Sequence, residues 1–331
     1  MKNFLLSLIL TTLVSSVYAT AASIKVIYGD DNRVDVIASP NELYVKLAES
    51  TAAMISNDKL KEFNAEQFEI GGKTLAESGV CAQERFSQQP IEANCSGFLV
   101  GKNTLVTAGH CIRSQFDCDN NAWVFDYKVQ RESDSSVVVN KSSVYKCKSI
   151  IARELNSSDS NDYAVLELEQ DVLDRDVLKF RTSGKPKVGD ELVVIGHPTG
   201  LPTKISDKAY VREVNDIFLV ANLDTYGGNS GSAVFNAVTG EVEGILVRGD
   251  TDYIFDRSQM CRVSNRLGEN AGRGEDVTLI TAVKGLPSDV SEPAPEEPSE
   301  PELPDTPSEP EQPEEPGLSW WERLLRWLFG K

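Results

Sequence analysis

Cys95-Ser-Gly-Phe-Leu-Val-Gly-Lys-Asn-Thr-Leu-Val-Thr-Ala-Gly-His110-Cys111 reads as two short strands followed by a turn of small residues that presents a histidine. The same pattern of short apolar runs and turns extends over residues 91–285. Runs recur at Gly97–Val100, Leu105–Thr107, Ala122–Phe125, Val137–Val139, Ala164–Leu168, Leu192–Ile195, Phe218–Ala221, Ala233–Phe235, Val242–Val247 and Val277–Ile280. Several carry β-branched or aromatic residues, and most are bounded by Gly, Asn, Asp or Pro. Many short strands at such intervals predict an all-β sandwich or barrel. Long helical periodicity is absent here. Turn-forming residues cluster at Arg181–Asp190, which marks a boundary between two β-units.

Histidine is scarce: the chain has only two. That makes His110, set between Ala-Gly and a cysteine, a candidate base. A second segment supplies its counterpart, Gly227-Gly228-Asn229-Ser230-Gly231-Ser232. A serine framed by glycines can be held on a tight turn whose amides converge on one point. Acyl transfer needs such donors in place before the carbonyl oxygen becomes an anion, and the expected donors are the N–H groups of Gly228 and Ser230. A serine hydroxyl is a poor nucleophile near neutral pH unless a nearby base takes its proton. Asn161-Asp162-Tyr-Ala-Val-Leu places an acid just before a strand; buried, it would fix the imidazole tautomer and stabilise the imidazolium. His197, in Gly196-His197-Pro198, has no acid-bearing strand after it and reads as a structural or substrate-lining residue.

With His110, Asp162 and Ser230 in that order, the chain resembles the trypsin-like (chymotrypsin-fold) serine peptidases, in particular their compact bacterial branch with the glutamyl endopeptidases. The likeness covers about Cys81 to Val283, and Ile27-Tyr-Gly-Asp-Asp-Asn-Arg33 resembles that branch's mature N-terminus. The resemblance implies two antiparallel β-barrels with the catalytic cleft between them, and a hydrolase acting on protein or peptide substrates without a cofactor. It also implies a Cys95–Cys111 disulfide around the histidine turn; the pairing of Cys81, Cys118, Cys147 and Cys261 stays open, with Cys118–Cys147 and Cys81–Cys261 as one assignment. Animal trypsins carry Asp before the nucleophile, where a freshly cut N-terminal amine pairs with it. Here the position is Asn229, which cannot form that ion pair, so activation by a buried new N-terminus is not expected.

Specificity candidates come from the same comparison. Asp224 lies six residues before Ser230, where trypsins place the acid that selects Lys or Arg by charge pairing. Desolvation of an unpaired Asp opposes that reading. Glutamyl enzymes use a Gly-Ile-His stretch; here it is Gly244-Ile245-Leu246, although Thr225 is retained and Arg248 lies nearby. Glutamyl-type specificity is therefore the alternative, and the candidate pocket is Asp224, Thr225, Leu246 and Arg248.

The flanks set the context. Lys2, the apolar stretch from Phe4 to Val14 and the small residues after it read as an export signal over 1–21, with cleavage fitting after Ala19 or Ala21. A secreted product is expected, held at the cell surface or in the periplasm by its tail. Six cysteines suit three disulfides in an oxidising compartment. Without a CxxC pair and with only two histidines, no metal site is expected. Residues 22–80 read as a propeptide or as part of the mature fold, with Glu42 to Met54 compatible with a helix or a strand pair; residues 81–286 form the peptidase domain. Residues 287–317 hold ten of the fifteen prolines and eleven acids with no Lys or Arg, an extended, disordered, self-repelling linker.

After the linker, residues 318–331 form a short amphipathic helix. Trp321, Leu324, Leu325 and Leu328 share one face, and Glu322, Arg323 and Arg326 mark the other. Membrane-surface or partner docking fits this pattern, as does folding back on the enzyme. The net charge of −18 and the lack of a basic run exclude nucleic acid as a partner. The motif is not the G-x-S-x-G elbow of α/β-hydrolases, though the same triad would cleave esters. A tethered protease-like binding or adhesion module is the alternative class.

Overall fold

The structure, a computed structural model, describes residues 26–156, 160–288, 317 and 319–330. The export signal expected at 1–21 and nearly all of the 287–317 linker lie outside the described residues. Two closed six-stranded antiparallel barrels dominate the rest. The first is built from β1 (Thr51–Ser56), β2 (Ala93–Gly101), β3 (Thr104–Thr107), β4 (Asn121–Phe125), β5 (Val144–Leu155) and β6 (Asp162–Leu168), in the ring order β5-β6-β3-β2-β1-β4. Phe98, Leu105, Val106, Trp123, Phe125 and Val165 of its strands are all fully buried and belong to one continuous apolar cluster. A fully buried side chain of this size contributes about 1.5–3 kcal/mol.

The second barrel repeats the plan with β7 (Glu191–Gly196), β8 (Lys204–Val214), β9 (Phe218–Ala221), β10 (Ala233–Asn236), β11 (Val242–Arg248) and β12 (Glu275–Leu279). Its ring, β11-β12-β9-β8-β7-β10, follows the same order as the first, because β7 pairs with both β8 and β10. Leu192, Val194, Val211, Leu219, Leu246 and Val277 fill its interior. The apolar runs expected as strands fall in these barrels, except Val137–Val139. That run joins a separate three-stranded sheet of Lys61–Glu62, Gln67–Gly71 and Ser136–Asn140.

Three barrel strands carry no clear run in the sequence. In β5 the pairing with β6 shifts between Cys147 and Ser149 and again between Ile150 and Ala152. Each bulge inserts a residue and flips the facing of all that follow, so the polar-apolar alternation never persists. Lys208, with φ 60°, breaks β8 in the same way. The third, β1, follows directly on α1 (Glu42–Glu49), whose N-cap Asn41 accepts from the Leu43 and Tyr44 amides. Glu42 to Met54 is thus a helix followed by a strand.

The segment before residue 81 is part of the fold. It supplies β1 to the first barrel, and Arg33–Asp35 pairs with β8 of the second. Val26, Ile27 and Tyr28 are buried, and Val26 O accepts from Thr225 N. The barrel region therefore begins upstream of residue 81, since removing 26–80 would open the first barrel. Three disulfides, Cys81–Cys261, Cys95–Cys111 and Cys118–Cys147, use all six cysteines.

Residues 291–331 form a separate unit. Its described part is α3 (Trp320–Phe329), started by a Ser319/Glu322 capping box and ended by Gly330 in the left-handed region. Trp327 and Phe329 are 82% and 75% exposed. No helix among the described residues is long and apolar enough to cross a membrane.

Candidate active site

The turn after β3 carries His110, and β6 begins with Asp162. Thr107 pairs with Ala164 across these strands, so the residues just past each end meet. Asp162 Oδ1 accepts the His110 backbone N–H at 3.0 Å, and Oδ2 lies 2.8 Å from His110 Nδ1. A carboxylate can only accept, so Nδ1 carries the hydrogen and Nε2 keeps its lone pair. The Asp162 side chain is 3% exposed and the imidazole 24%: the acid is enclosed and the ring's edge is reachable. Gly109 makes this approach feasible. A Cβ there would lie 2.1 Å from Glu154 O and 2.8 Å from Tyr163 O.

Ser230 sits on the turn between β9 and β10. Asn229 N donates to Tyr226 O at 3.0 Å, Ser232 N to Asn229 O at 2.9 Å and Gly231 N to Leu246 O at 2.8 Å. Gly228 and Gly231 have φ of 93° and 88°, a region that strains any side chain. Among the described residues, the N–H groups of Gly228 and Ser230 donate to no protein acceptor, which leaves two amides of one turn open to a ligand oxygen. Ser96 N donates to Ser230 O at 2.8 Å, and Cys111 Sγ lies 3.6 Å from the same oxygen. The serine backbone thus rests against the disulfide-bonded ends of the histidine segment. Among the described residues no hydrogen bond joins the Ser230 hydroxyl to His110; such bonds often tighten only when substrate arrives.

Asn229 is buried, and its Oδ1 accepts from Ser232 Oγ at 3.3 Å. The structure gives Asp224 a different setting from a pocket base. Oδ1 accepts the Tyr28 amide at 2.7 Å and Oδ2 the Asn32 amide at 2.9 Å, and the residue is 3% exposed. Burial pushes this carboxyl up to about 7, despite its two amide donors. It anchors the N-terminal segment and is not open to a Lys or Arg side chain. Thr225 Oγ1 donates to Glu275 Oε2 at 2.6 Å, and Leu246 lies inside the second barrel. Arg248 donates to Asp276 at 3.2 Å and to Ser160 O at 2.8 Å, so its guanidinium is committed within the protein.

Glu275 escapes the sequence reading. It is fully buried, bonded to Thr225 and to the Asp250 amide, and no motif around it announces this. His197 is fully buried as well; burial and Lys204 pull its imidazole down to about 3. Cys95, His110 and Cys111 have ligand atoms within 4.8 Å of one another, but the disulfide consumes both sulfurs.

Residues 95–245 match the family described as a trypsin-like peptidase domain. A glutamyl endopeptidase structure is 14% identical over 78% of this chain and 94% of its own, with a TM-score of 0.43. The Vibrio cholerae VesB protease is 15% identical over 78% of this chain and 65% of its own, also at 0.43. A serine endoprotease from Yersinia pestis is 15% identical over 73% and 62%, at 0.41. No curated protein matches the chain.

Proposed function

We propose that the chain is a trypsin-like serine endopeptidase that cleaves peptide bonds through an acyl-enzyme formed on Ser230. His110 Nε2 takes the hydroxyl proton as Ser230 attacks the carbonyl carbon. Asp162 holds the ring at Nδ1 and the His110 backbone at its N–H, and stabilises the imidazolium. The carbonyl oxygen, now an anion, rests on the N–H groups of Gly228 and Ser230, worth 10²–10³-fold in rate per donor by order of magnitude. His110 then protonates the leaving amine, and water activated by the same imidazole releases the acyl group. These steps use only side chains and amides of the chain.

One observation carries the proposal: a carboxylate doubly bonded to the histidine turn stands beside a serine turn with two undonated amides. A serine-directed phosphonylating reagent tests it. Labelling of the full chain that vanishes in Ser230→Ala, together with peptide hydrolysis lost in His110→Ala, supports the reading. A folded chain that resists the reagent would instead favour the binding-module alternative.

A Lys or Arg preference resting on Asp224 has no free carboxylate to use, and a glutamyl preference resting on Arg248 meets a side chain paired with Asp276. Cleavage profiling on a peptide library reads the preference directly. The export signal and three disulfides favour action outside the cytoplasm, checked by the mass and N-terminal sequence of the mature product. The tail helix, with exposed Trp320, Trp321, Trp327 and Phe329 beside Arg323 and Arg326, suits docking on an anionic lipid surface. Binding of the full chain to vesicles of acidic lipid, lost on removing 318–331, is the corresponding check.

A further inference from the structure

The amides at Gly228 and Ser230 are useful only if the turn is held with them facing the same way. Trypsins hold it by an ion pair that Asn229 cannot make. Two other buried side chains converge on this turn. Ser96 Oγ donates to Gly228 O at 2.8 Å. The Ser96 hydroxyl oxygen also receives the His197 backbone N–H at 3.0 Å and lies 3.0 Å from His197 Nδ1. His197 Nε2 lies 3.2 Å from Thr203 Oγ1, and the ring stacks on Tyr127 with centroids 5.9 Å apart.

Counting hydrogens decides the direction of this chain. Gly228 O can only accept, so the single Ser96 hydrogen goes there. Ser96 must then accept from His197 Nδ1, which carries the ring hydrogen. Nε2 is left to accept, so the one Thr203 hydroxyl hydrogen, which also has Tyr127 O within 3.0 Å, turns to the ring, while Tyr127 O retains the Thr203 amide, 2.7 Å away. The opposite tautomer would turn the Ser96 hydrogen toward the ring and deprive Gly228 O of this donor. Burial and the Lys204 charge keep the imidazole neutral.

The neighbouring peptide is held too. Thr199 N donates to Gly227 O, and Gly227 N donates to Asp252 Oδ2 at 3.0 Å. In a trans peptide the N–H points opposite the C=O. Directing Gly227 O toward Thr199 therefore turns the Gly228 N–H to the other side. The His197 backbone also packs on the turn, since a Cβ on Gly228 would lie 2.4 Å from His197 O.

We propose that His197 and Ser96 are positioning residues that hold the Gly228–Ser230 turn in its donor-presenting form, in place of a terminal ion pair. This rests on the reading of Ser230 as nucleophile and of the two amides as its oxyanion donors. The test compares the full-length wild type with Ser96→Ala, His197→Phe and His197→Asn. Phe keeps a ring against Tyr127 without the Nδ1 hydrogen; Asn restores an N–H near that position.

The expected result for Ser96→Ala and His197→Phe is kcat lowered about 10–100-fold, part of what a lost oxyanion donor costs, with KM changed less than twofold. Affinity for a peptide boronic acid should fall by the same factor, and His197→Asn should recover part of the loss. Folded Ser96→Ala with unchanged kcat, or with KM alone raised, overturns the proposal. If His197→Phe does not fold, Ser96→Ala, which deletes only a hydroxyl, decides the matter. Failure of the parent reading looks different: wild type would neither react with the phosphonylating reagent nor lose activity in Ser230→Ala.

Discussion

Replacing Asp224 by Ala separates its two conceivable jobs. As an anchor, its carboxylate holds the Tyr28 and Asn32 amides in a buried setting. Orphaning two buried donors costs about 1–3 kcal/mol each, or about 2–6 kcal/mol together. An opposing contribution depends on pH. The folded carboxyl titrates at about 7 against an ordinary 3.8, so the folded state holds its proton more tightly than the unfolded chain. The stability due to that proton is fully present below pH 3.8 and is lost as pH rises through 7.

Between those two titration points each pH unit removes about 1.4 kcal/mol, so wild type loses about 2–3 kcal/mol from pH 5 to pH 8 that the Ala variant does not. Asp224→Ala should therefore cost several kcal/mol at pH 5 and distinctly less at pH 8. Urea unfolding at both pH values, in a Ser230→Ala background to suppress autolysis, measures the difference. Cleavage profiling of the active enzyme supplies the other half: the preference before the scissile bond should stay unchanged. Selective loss of cleavage after Lys or Arg, with unfolding free energy unaltered at both pH values, would refute the anchor argument.

Other perturbations probe neighbouring features. In Gly109→Ala the new methyl meets Glu154 O and moves His110; a displacement near 1 Å costs on the order of 10²-fold in kcat/KM, read by peptide hydrolysis. Asp162→Asn keeps the shape but offers the ring a poorer acceptor, and kcat should fall roughly 10⁴-fold. The Cys81–Cys261 bridge closes 180 residues and Cys95–Cys111 only 16. On loop entropy, removing the first pair should cost about 5 kcal/mol and the second about 3, a ranking that denaturant midpoints of the paired Ala variants check. Because the folded His197 resists protonation down to about 3, acid favours the unfolded chain. As pH falls below about 6, its contribution drops by about 1.4 kcal/mol for each pH unit, and His197→Asn should show a flatter acid-unfolding curve.

How much of this could be read from the chain alone depends on how far apart the interacting residues lie. Strands buried as plain apolar runs, such as Leu192–Ile195, are legible because every side chain in them reports burial. β5 and β8 are not, because their bulges shift the alternation part-way along. β1 hides behind a helix whose end has no Gly or Pro stop. The small-residue settings of His110 and Ser230 are visible because a tight turn needs its glycines next to it in sequence.

Asp224 shows the opposite case. Its spacing from Ser230 suggested a pocket acid, yet its partners Tyr28 and Asn32 are 196 and 192 residues away. Ser96 and His197 are separated by 101, and nothing local to either marks the other. The sequence by itself determined the β class, the cysteine count and the reactive side-chain types, because these follow from composition and short-range pattern. Only the tertiary structure decided which carboxylate is spoken for and which hydroxyl braces the serine turn. A hydrogen bond is satisfied by whatever group the folded chain delivers within about 3 Å, and spacing along the chain does not encode that delivery.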